Sequence, residues 1–342
     1  MGETTGPGAA AALLVVEHLT TDFDLGHGRS APAVDDIGFH VREGETLGLV
    51  GESGSGKSVT ALSILGLVQP PGRVTRGRVW FKGRDLRQLR ESELRRIRGA
   101  GISLIFQEPM TALNPVFTIG SQLVETLVVH GRARGRAART QALELLAAVH
   151  MPAPARHLDE YPHQLSGGLR QRALIAMALA CRPALVIADE PTTALDVTVQ
   201  AQILDLLRDM KARFGLSLLL ITHDLGIVAG TADRVAVMYA GRIIEEGPVR
   251  ALLRAPAHPY TRALLASVPG GAPGTRLRAI EGSVPALGAV PPGCAFAPRC
   301  PDRFAPCDGR PPARTALGAD RAVRCYLHAD ASEPASTGAA TR

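Results

Sequence analysis

An α/β fold with a parallel sheet covered on both faces is predicted by three stretches of the 342-residue chain. Residues 184–188 and 216–222 are near-continuous apolar runs of strand length, the pattern of strands buried on both sides. A third run, Thr46-Leu47-Gly48-Leu49-Val50, leads straight into Gly51-Glu52-Ser53-Gly54-Ser55-Gly56-Lys57-Ser58, and a helical pattern follows. That is G-x-x-x-x-G-K-[S/T] between a strand and a helix, the setting in which the motif cradles phosphate.

The other elements follow in chain order. Residues 13–23 and 33–50 alternate short apolar and β-branched runs with Gly and Asp turns, which predicts strands. Val59, Leu62 and Leu65 share one face of the helix after the glycine-rich loop. The charged stretch 86–98 predicts an amphipathic surface helix, and 119–149 is helical in pattern, ending near Pro152. Residues 197–213 read as a helix between the two apolar strands. One half of the sheet therefore precedes Gln107 and the other follows Arg172, with a mostly helical insert at about 108–170. The main unit spans 13–253. After Arg254 the composition turns Pro- and Gly-rich with clustered Cys, which marks a separate extension over 254–330. Residues 1–12 and 331–342 read as disordered tails.

Composition narrows the partners. The net charge of +6 is carried almost wholly by Arg, since Lys occurs only at Lys57, Lys82 and Lys211. No aromatic-interleaved basic stripe accompanies it, so a solvated surface is favoured over a nucleic-acid groove. No apolar run approaches the ~20 residues needed to span a bilayer. The first dozen residues lack a positive region and an apolar core, so they are not read as a secretory signal. A membrane process served by this chain requires another chain to cross the membrane.

The glycine-rich loop supplies the first half of a site. The backbone around Gly51, Ser53, Gly54, Ser55 and Gly56 can wrap phosphates, Lys57 reaches the β- and γ-phosphates, and Ser58 suits Mg²⁺. Asp189, ending an apolar strand, suits Mg²⁺ through water, and Glu190 next to it can polarise an attacking water. The second half is Leu165-Ser166-Gly167-Gly168-Leu169-Arg170-Gln171-Arg172. Ser166 can cap the helix that follows, and Gly167 and Gly168 let backbone N–H groups approach an anion at its positive end. Alone, such a turn is an ordinary helix cap; beside the glycine-rich loop and Asp189-Glu190 it acquires a chemical reading.

Taken together, these stretches resemble the ATP-binding cassette (ABC) ATPases over residues of about 13–250. The resemblance implies a RecA-like core with an antiparallel β subdomain and a helical subdomain. It implies that the Ser166 turn is the signature motif, closing over a nucleotide held by a second subunit. Gln107, in Ile105-Phe106-Gln107-Glu108, looks like the glutamine that senses Mg²⁺ and the γ-phosphate. Ala194-Leu195-Asp196 looks like the loop that crosses to the partner, and His223 like the switch histidine. Phe23 lies where the family stacks an aromatic ring on adenine. Leu169 departs from the usual glutamine; followed by Arg170-Gln171-Arg172, it resembles the D-type ATPase subunit of dipeptide importers. Gln107-Glu108-Pro109-Met110-Thr111-Ala112-Leu113-Asn114-Pro115, Ala236-Val237-Met238-Tyr239-Ala240-Gly241-Arg242 and His258-Pro259-Tyr260-Thr261 resemble the same dipeptide and oligopeptide importer family.

Four of the five cysteines, Cys294, Cys300, Cys307 and Cys325, are spaced C-x₅-C-x₆-C-x₁₇-C in the extension. A cytosolic setting argues against disulfides, and structural zinc ordinarily shows close C-x₂₋₄-C pairs. Four thiolates can hold a [4Fe–4S] cluster, whose negative charge suits nearby Arg299, Arg303 and Arg324. The resemblance implies such a cluster too, as related importer subunits with this pattern carry one, so iron–sulfur is favoured on spacing and resemblance and zinc is the alternative. Cys181 reads as a buried core thiol.

The resulting expectation is an ATPase subunit, using ATP and Mg²⁺, that drives peptide uptake from the cytoplasmic face of the membrane. Its implied partners are a second, homologous ABC ATPase subunit, two transmembrane permease subunits and, indirectly, an extracytoplasmic peptide-binding protein; nucleic acid is not among them. Two rivals stand beside it: a nickel or other small-solute importer of the same subfamily, and a soluble ABC ATPase acting on ribosomes or DNA. The latter types carry two cassettes or long coiled coils, and this chain shows neither.

Overall fold

A computed structural model describes residues 12–268 and 280–329. The tail expected at 331–342, and all of that expected at 1–12 except Ala12, lie outside the described residues. From the start, β1 (Ala12–Gly26) and β2 (Arg29–Arg42) form a hairpin, and β3 (Thr46–Val50) runs into α1 (Lys57–Leu65). Then come β4 (Gly72–Phe81), β5 (Arg84–Asp85), α2 (Glu91–Ile97) and β6 (Ile102–Ile105). A helical stretch follows: α3 (Pro109–Ala112), α4 (Ile119–Val129), α5 (Gly135–Ala148), α6 (Pro154–His157) and α7 (Gly167–Leu179). The chain returns to sheet through β7 (Leu185–Asp189), α8 (Val197–Phe214), β8 (Ser217–Thr222), α9 (Leu225–Thr231), β9 (Arg234–Tyr239) and β10 (Arg242–Pro248). It continues with α10 (Val249–Arg254), α11 (Pro259–Ala266), β11 (Thr315–Gly318) and β12 (Arg321–Val323).

Two sheets result, a four-stranded one ordered β2-β1-β4-β5 and an eight-stranded one ordered β11-β12-β10-β9-β3-β8-β7-β6. Strands β9, β3, β8, β7 and β6 pair in parallel, and every residue of β3, β7 and β8 is buried, as continuous apolar runs require. On one face Leu47, Leu49 and Ile64 pack with Leu14, Val34 and Val79 from the small sheet. On the other, Val186 and Leu220 pack with Leu123, Leu146, Ile175 and Leu206 from the helices. The ends of β3, β7 and β8 thus open together at one rim, where ligands of parallel α/β sheets bind.

Two local expectations need correction. Residues 86–98 are not one helix: a 3₁₀ turn at Leu86–Gln88 gives way to α2, because Glu93 accepts a hydrogen bond from the Arg90 N–H and starts a new helix there. The helical pattern over 119–149 breaks between α4 and α5, where Gly131 takes a left-handed φ of 64°. The extension packs directly on the cassette. Its β12 pairs with β10, Glu245 opposite Val323 and Glu246 opposite Ala322, so it lengthens the main sheet. Phe296 of the extension is fully buried with Tyr239 and Tyr260. Among the described residues, no helix is long and apolar enough to cross a membrane.

Candidate functional site

The glycine-rich loop leaves β3 at the rim and closes into α1. Gly56 takes φ 102°, which L side chains rarely adopt, and a Cβ there would lie 2.4 Å from the Ala33 carbonyl oxygen. The loop curls around Lys57, whose Nζ donates to the carbonyl oxygens of Gly51 at 2.7 Å and Glu52 at 3.0 Å. Burial lowers the Lys57 pKa, opposed by the carboxylates of Glu190, Asp189 and Glu52. Ser58, the next residue, donates from Oγ to Asp189 Oδ1 at 3.1 Å. Burial raises the Asp189 pKa against the pull of that hydrogen bond.

Glu190 follows Asp189 with a φ of 45°, uncommon for a non-glycine residue, and its N–H donates to the Ile221 carbonyl of β8 at 2.9 Å. The backbone twist turns consecutive carboxylates in different directions. Asp189 meets Ser58, whereas Glu190 meets the ends of three other segments. Its Oε2 accepts from Gln107 Nε2 at 3.1 Å and Thr193 Oγ1 at 2.8 Å, and lies 3.3 Å from His223 Nδ1. Its Oε1 is 3.8 Å from Lys57 Nζ. Gln107 lies two residues past the end of β6 and His223 one past the end of β8, so the parallel register brings them to Glu190 although 83 and 33 residues away in sequence.

A cavity of about 350 Å³ opens beside this cluster, lined by Phe23, Ser53, Gly54, Gly56, Lys57, Ser58, Gln107 and Glu190. A cleft of about 380 Å³ lies elsewhere, between β1, β2 and the edge of the main sheet, but its ionic side chains are already paired. Chemistry therefore singles out the Lys57 cavity. The donor set fits Mg²⁺: a hydroxyl and a carboxylate, Ser58 and Asp189, meet at the phosphate-cradling loop.

Ser166, Gly167, Gly168 and Asp196 are not among the residues lining that cavity. Ser166 caps α7, its Oγ accepting from the Leu169 N–H at 3.4 Å, and Asp196 caps α8 by accepting from the Val199 N–H at 2.9 Å. These two caps are neighbours. A Cβ on Gly168 would lie 2.7 Å from Val199 Cγ1, so this glycine lets α7 approach the start of α8. Sequence reasoning assigned it only to anion approach and missed that packing demand.

The four extension cysteines are free thiols that line one small cavity with His258, Phe304 and Tyr326. The Cys294 N–H donates to the Cys307 carbonyl at 2.8 Å. Burial pushes the Cys325 thiol up to about 11 and raises Cys294 and Cys300 as well. Among the described residues, no three His, Cys, Asp or Glu side chains gather into a group that could hold a metal ion. The arginines expected to balance a cluster are engaged elsewhere: Arg299 with Glu52, Arg303 with Asp308 and Arg324 with Asp36. Cys181 is a buried thiol in the core, as expected.

Two contacts had no sequence signal as site features. Tyr260 Oη accepts from the Glu52 N–H at 2.9 Å, inside the glycine-rich loop. Arg299 reaches the carboxylate of the same Glu52. The His258-Pro259-Tyr260 motif carries a family resemblance, but nothing in its spacing says that its tyrosine touches the loop.

A profile described as ABC transporter matches residues 34–193, and one for the C-terminal region of oligopeptide/dipeptide transporters matches 244–307. The dipeptide transport ATP-binding protein DppD of Bacillus subtilis (strain 168) is 50% identical over 325 residues, 94% of this chain and 97% of that protein. The oligopeptide transport ATP-binding protein AppD of the same organism is 49% identical over 93% of this chain and 97% of its own length. DppD of Escherichia coli (strain K12) is 48% identical, covering 93% of this chain and 98% of that protein. Among solved structures, the dimeric post-hydrolysis state of the ATP-binding cassette MJ0796 bound to ADP and Pi aligns with a TM-score of 0.62. It is 29% identical and covers 69% of this chain and 99% of that one.

Proposed function

Because the chain belongs to the family of ABC transporter ATP-binding subunits that serve dipeptide and oligopeptide transport, we propose a division of labour for the residues at its rim. The protein is an ATPase, the ATP-driven subunit of a peptide importer. The observation that carries the residue roles is the convergence of Lys57, Gln107 and His223 on the Glu190 carboxylate. Glu190 takes a proton from the attacking water, and Gln107 and His223 orient that water and the γ-phosphate. Lys57 and the loop from Gly51 to Gly56 hold the phosphates, and Phe23 packs on the base. Ser58, Asp189 and Gln107 would hold Mg²⁺, which would supply neutralisation of the phosphate charge.

Ser166, Gly167, Gly168 and Asp196 act on the nucleotide of a second subunit, a homologous chain in our reading. Their position outside the cavity supports this, since the two helix ends they cap do not border the chain's own phosphate-binding cavity. The permease docks near residues 106–117, where Phe106, Met110, Val116 and Phe117 are large apolar side chains left exposed. A chain so bound sits peripherally on the cytoplasmic face of the membrane. In vesicles reconstituted with the permease and a binding protein, ATP is expected to drive uptake of di- and oligopeptides. Nickel uptake in place of peptide uptake would overturn the substrate reading.

For the four thiols we propose a [4Fe–4S] cluster, with zinc as the rival. What favours it is the set of four free cysteines bordering one cavity with Phe304 and Tyr326, although their side chains are not drawn together into a metal-holding group. Such a cluster would be held by Cys294, Cys300, Cys307 and Cys325. Anaerobically purified protein is expected to be coloured in the visible range and to carry about four irons per chain. A colourless, zinc-loaded sample would reject iron.

A further inference from the structure

The C-terminal extension meets the phosphate-binding region at two points, the wall of the Lys57 cavity and Glu52 of the glycine-rich loop. The first is an apolar segment. Pro285, Leu287 and Val290 border the cavity together with Phe23 and Ala33. The segment is seated on the β1–β2 hairpin that carries Phe23: a Cβ on Gly288 would lie 2.8 Å from Leu25 Cδ1. Leu287 and Val290 nevertheless remain 39% and 38% exposed, although each is a large apolar side chain. A pair of uncovered aliphatic side chains at the mouth of a phosphate-binding cavity is matched by a flat, apolar-faced ring such as a purine.

The second point is Arg299, whose side chain is only 6% exposed. Its two terminal nitrogens meet the two Glu52 carboxylate oxygens at 3.1 Å each, a fork-to-fork pair. The same guanidinium donates to Tyr239 Oη at 3.2 Å and to the carbonyl oxygens of Glu281 and Ile280. Glu52 lies within the glycine-rich loop, donates its N–H to Tyr260 and accepts from Lys57 at its carbonyl. A guanidinium with all its partners fixed leaves Glu52, and with it the loop, little freedom.

We propose that the extension completes the nucleotide site. Leu287 and Val290 form with Phe23 an apolar seat for the base, and Arg299 is a positioning residue that holds the phosphate loop through Glu52. This rests on the reading that the cavity takes ATP. The two parts differ in what they recognise: the seat touches only the base, whereas the Arg299–Glu52 pair shapes the loop that any polyphosphate enters.

Magnesium tripolyphosphate, which has no base, separates them. The assembled transporter is assayed for ATP hydrolysis, with tripolyphosphate as a competitive inhibitor. Leu287→Ser/Val290→Ser is expected to raise KM for ATP about tenfold while changing the tripolyphosphate Ki less than twofold. Arg299→Ala is expected to raise both constants at least fivefold, with kcat changing less than KM, and Arg299→Lys to recover part of the loss. Glu52→Gln, which keeps the backbone contacts and removes the charge, is expected to follow Arg299→Ala and serves if that variant does not fold. An unchanged KM in the double variant, or an equal rise in KM and Ki, removes the base seat. An Arg299→Ala or Glu52→Gln protein with unaltered Ki removes the positioning role. A wild-type transporter without ATPase activity would instead sink the underlying reading of the cavity.

Discussion

Glu190→Gln is expected to cut ATP turnover by about 10²–10⁴-fold while leaving ATP bound, the loss typical of a missing general base. The amide is nearly isosteric with the carboxylate, so the contacts from Thr193 and Gln107 can be kept through its oxygen. What disappears is the proton acceptor, together with one negative charge close to Lys57. Loss of that charge also reduces repulsion toward a γ-phosphate, so ATP affinity should hold or rise. With hydrolysis stopped, two cassettes should remain closed around their nucleotides. Size-exclusion chromatography with light scattering, in MgATP, should show a dimer that wild-type protein forms only transiently. If the partner must be a homologous chain, the dimer appears only when that chain is added. Full turnover by Glu190→Gln would remove the general-base assignment.

Much of this site was legible in the sequence because its parts are local. The glycine-rich loop needs eight consecutive residues, and Asp189-Glu190 announces itself as a carboxylate pair at the end of a buried strand. The parallel register then brings Gln107, Glu190 and His223 together, since each follows the end of a strand at the same rim. Periodicity was weaker on interruptions. The helical pattern of 119–149 continues through Gly131, whose left-handed backbone ends the helix where side-chain hydrophobicity gives no warning. It was weakest on contacts across long separations. Arg299 was read as a counter-charge to the cysteines beside it, but its acid is Glu52, 247 residues away. A charge pattern names neighbours along the chain, while an ion pair is settled by which groups burial strips of water. The same holds for the extension, where composition marks the change at 254 but gives no sign that β12 pairs with β10 of the cassette.

Lys57→Ala is expected to fail one step earlier than Glu190→Gln, at binding. Lys57 is the positive group inside the glycine-rich loop, buried to 4% exposure, and it spans the Gly51 and Glu52 carbonyls to the edge of the Glu190 carboxylate. A hydrogen bond to a charged group is worth about 1.5–3 kcal/mol, which converts to about 10–150-fold in affinity. Alanine also leaves the two carbonyls and the carboxylates of Asp189 and Glu190 facing the phosphates without a cation, so the upper part of that range is expected. The variant should bind MgATP at least tenfold more weakly by calorimetry and hydrolyse it at a trace of the wild-type rate. Order of action follows from the two changes combined. Because closure needs bound ATP, Lys57→Ala/Glu190→Gln should stay monomeric at ATP concentrations that lock Glu190→Gln as a dimer. A double variant that still dimerises at those concentrations would mean that backbone amides alone hold the phosphates and that Lys57 acts only in the chemical step.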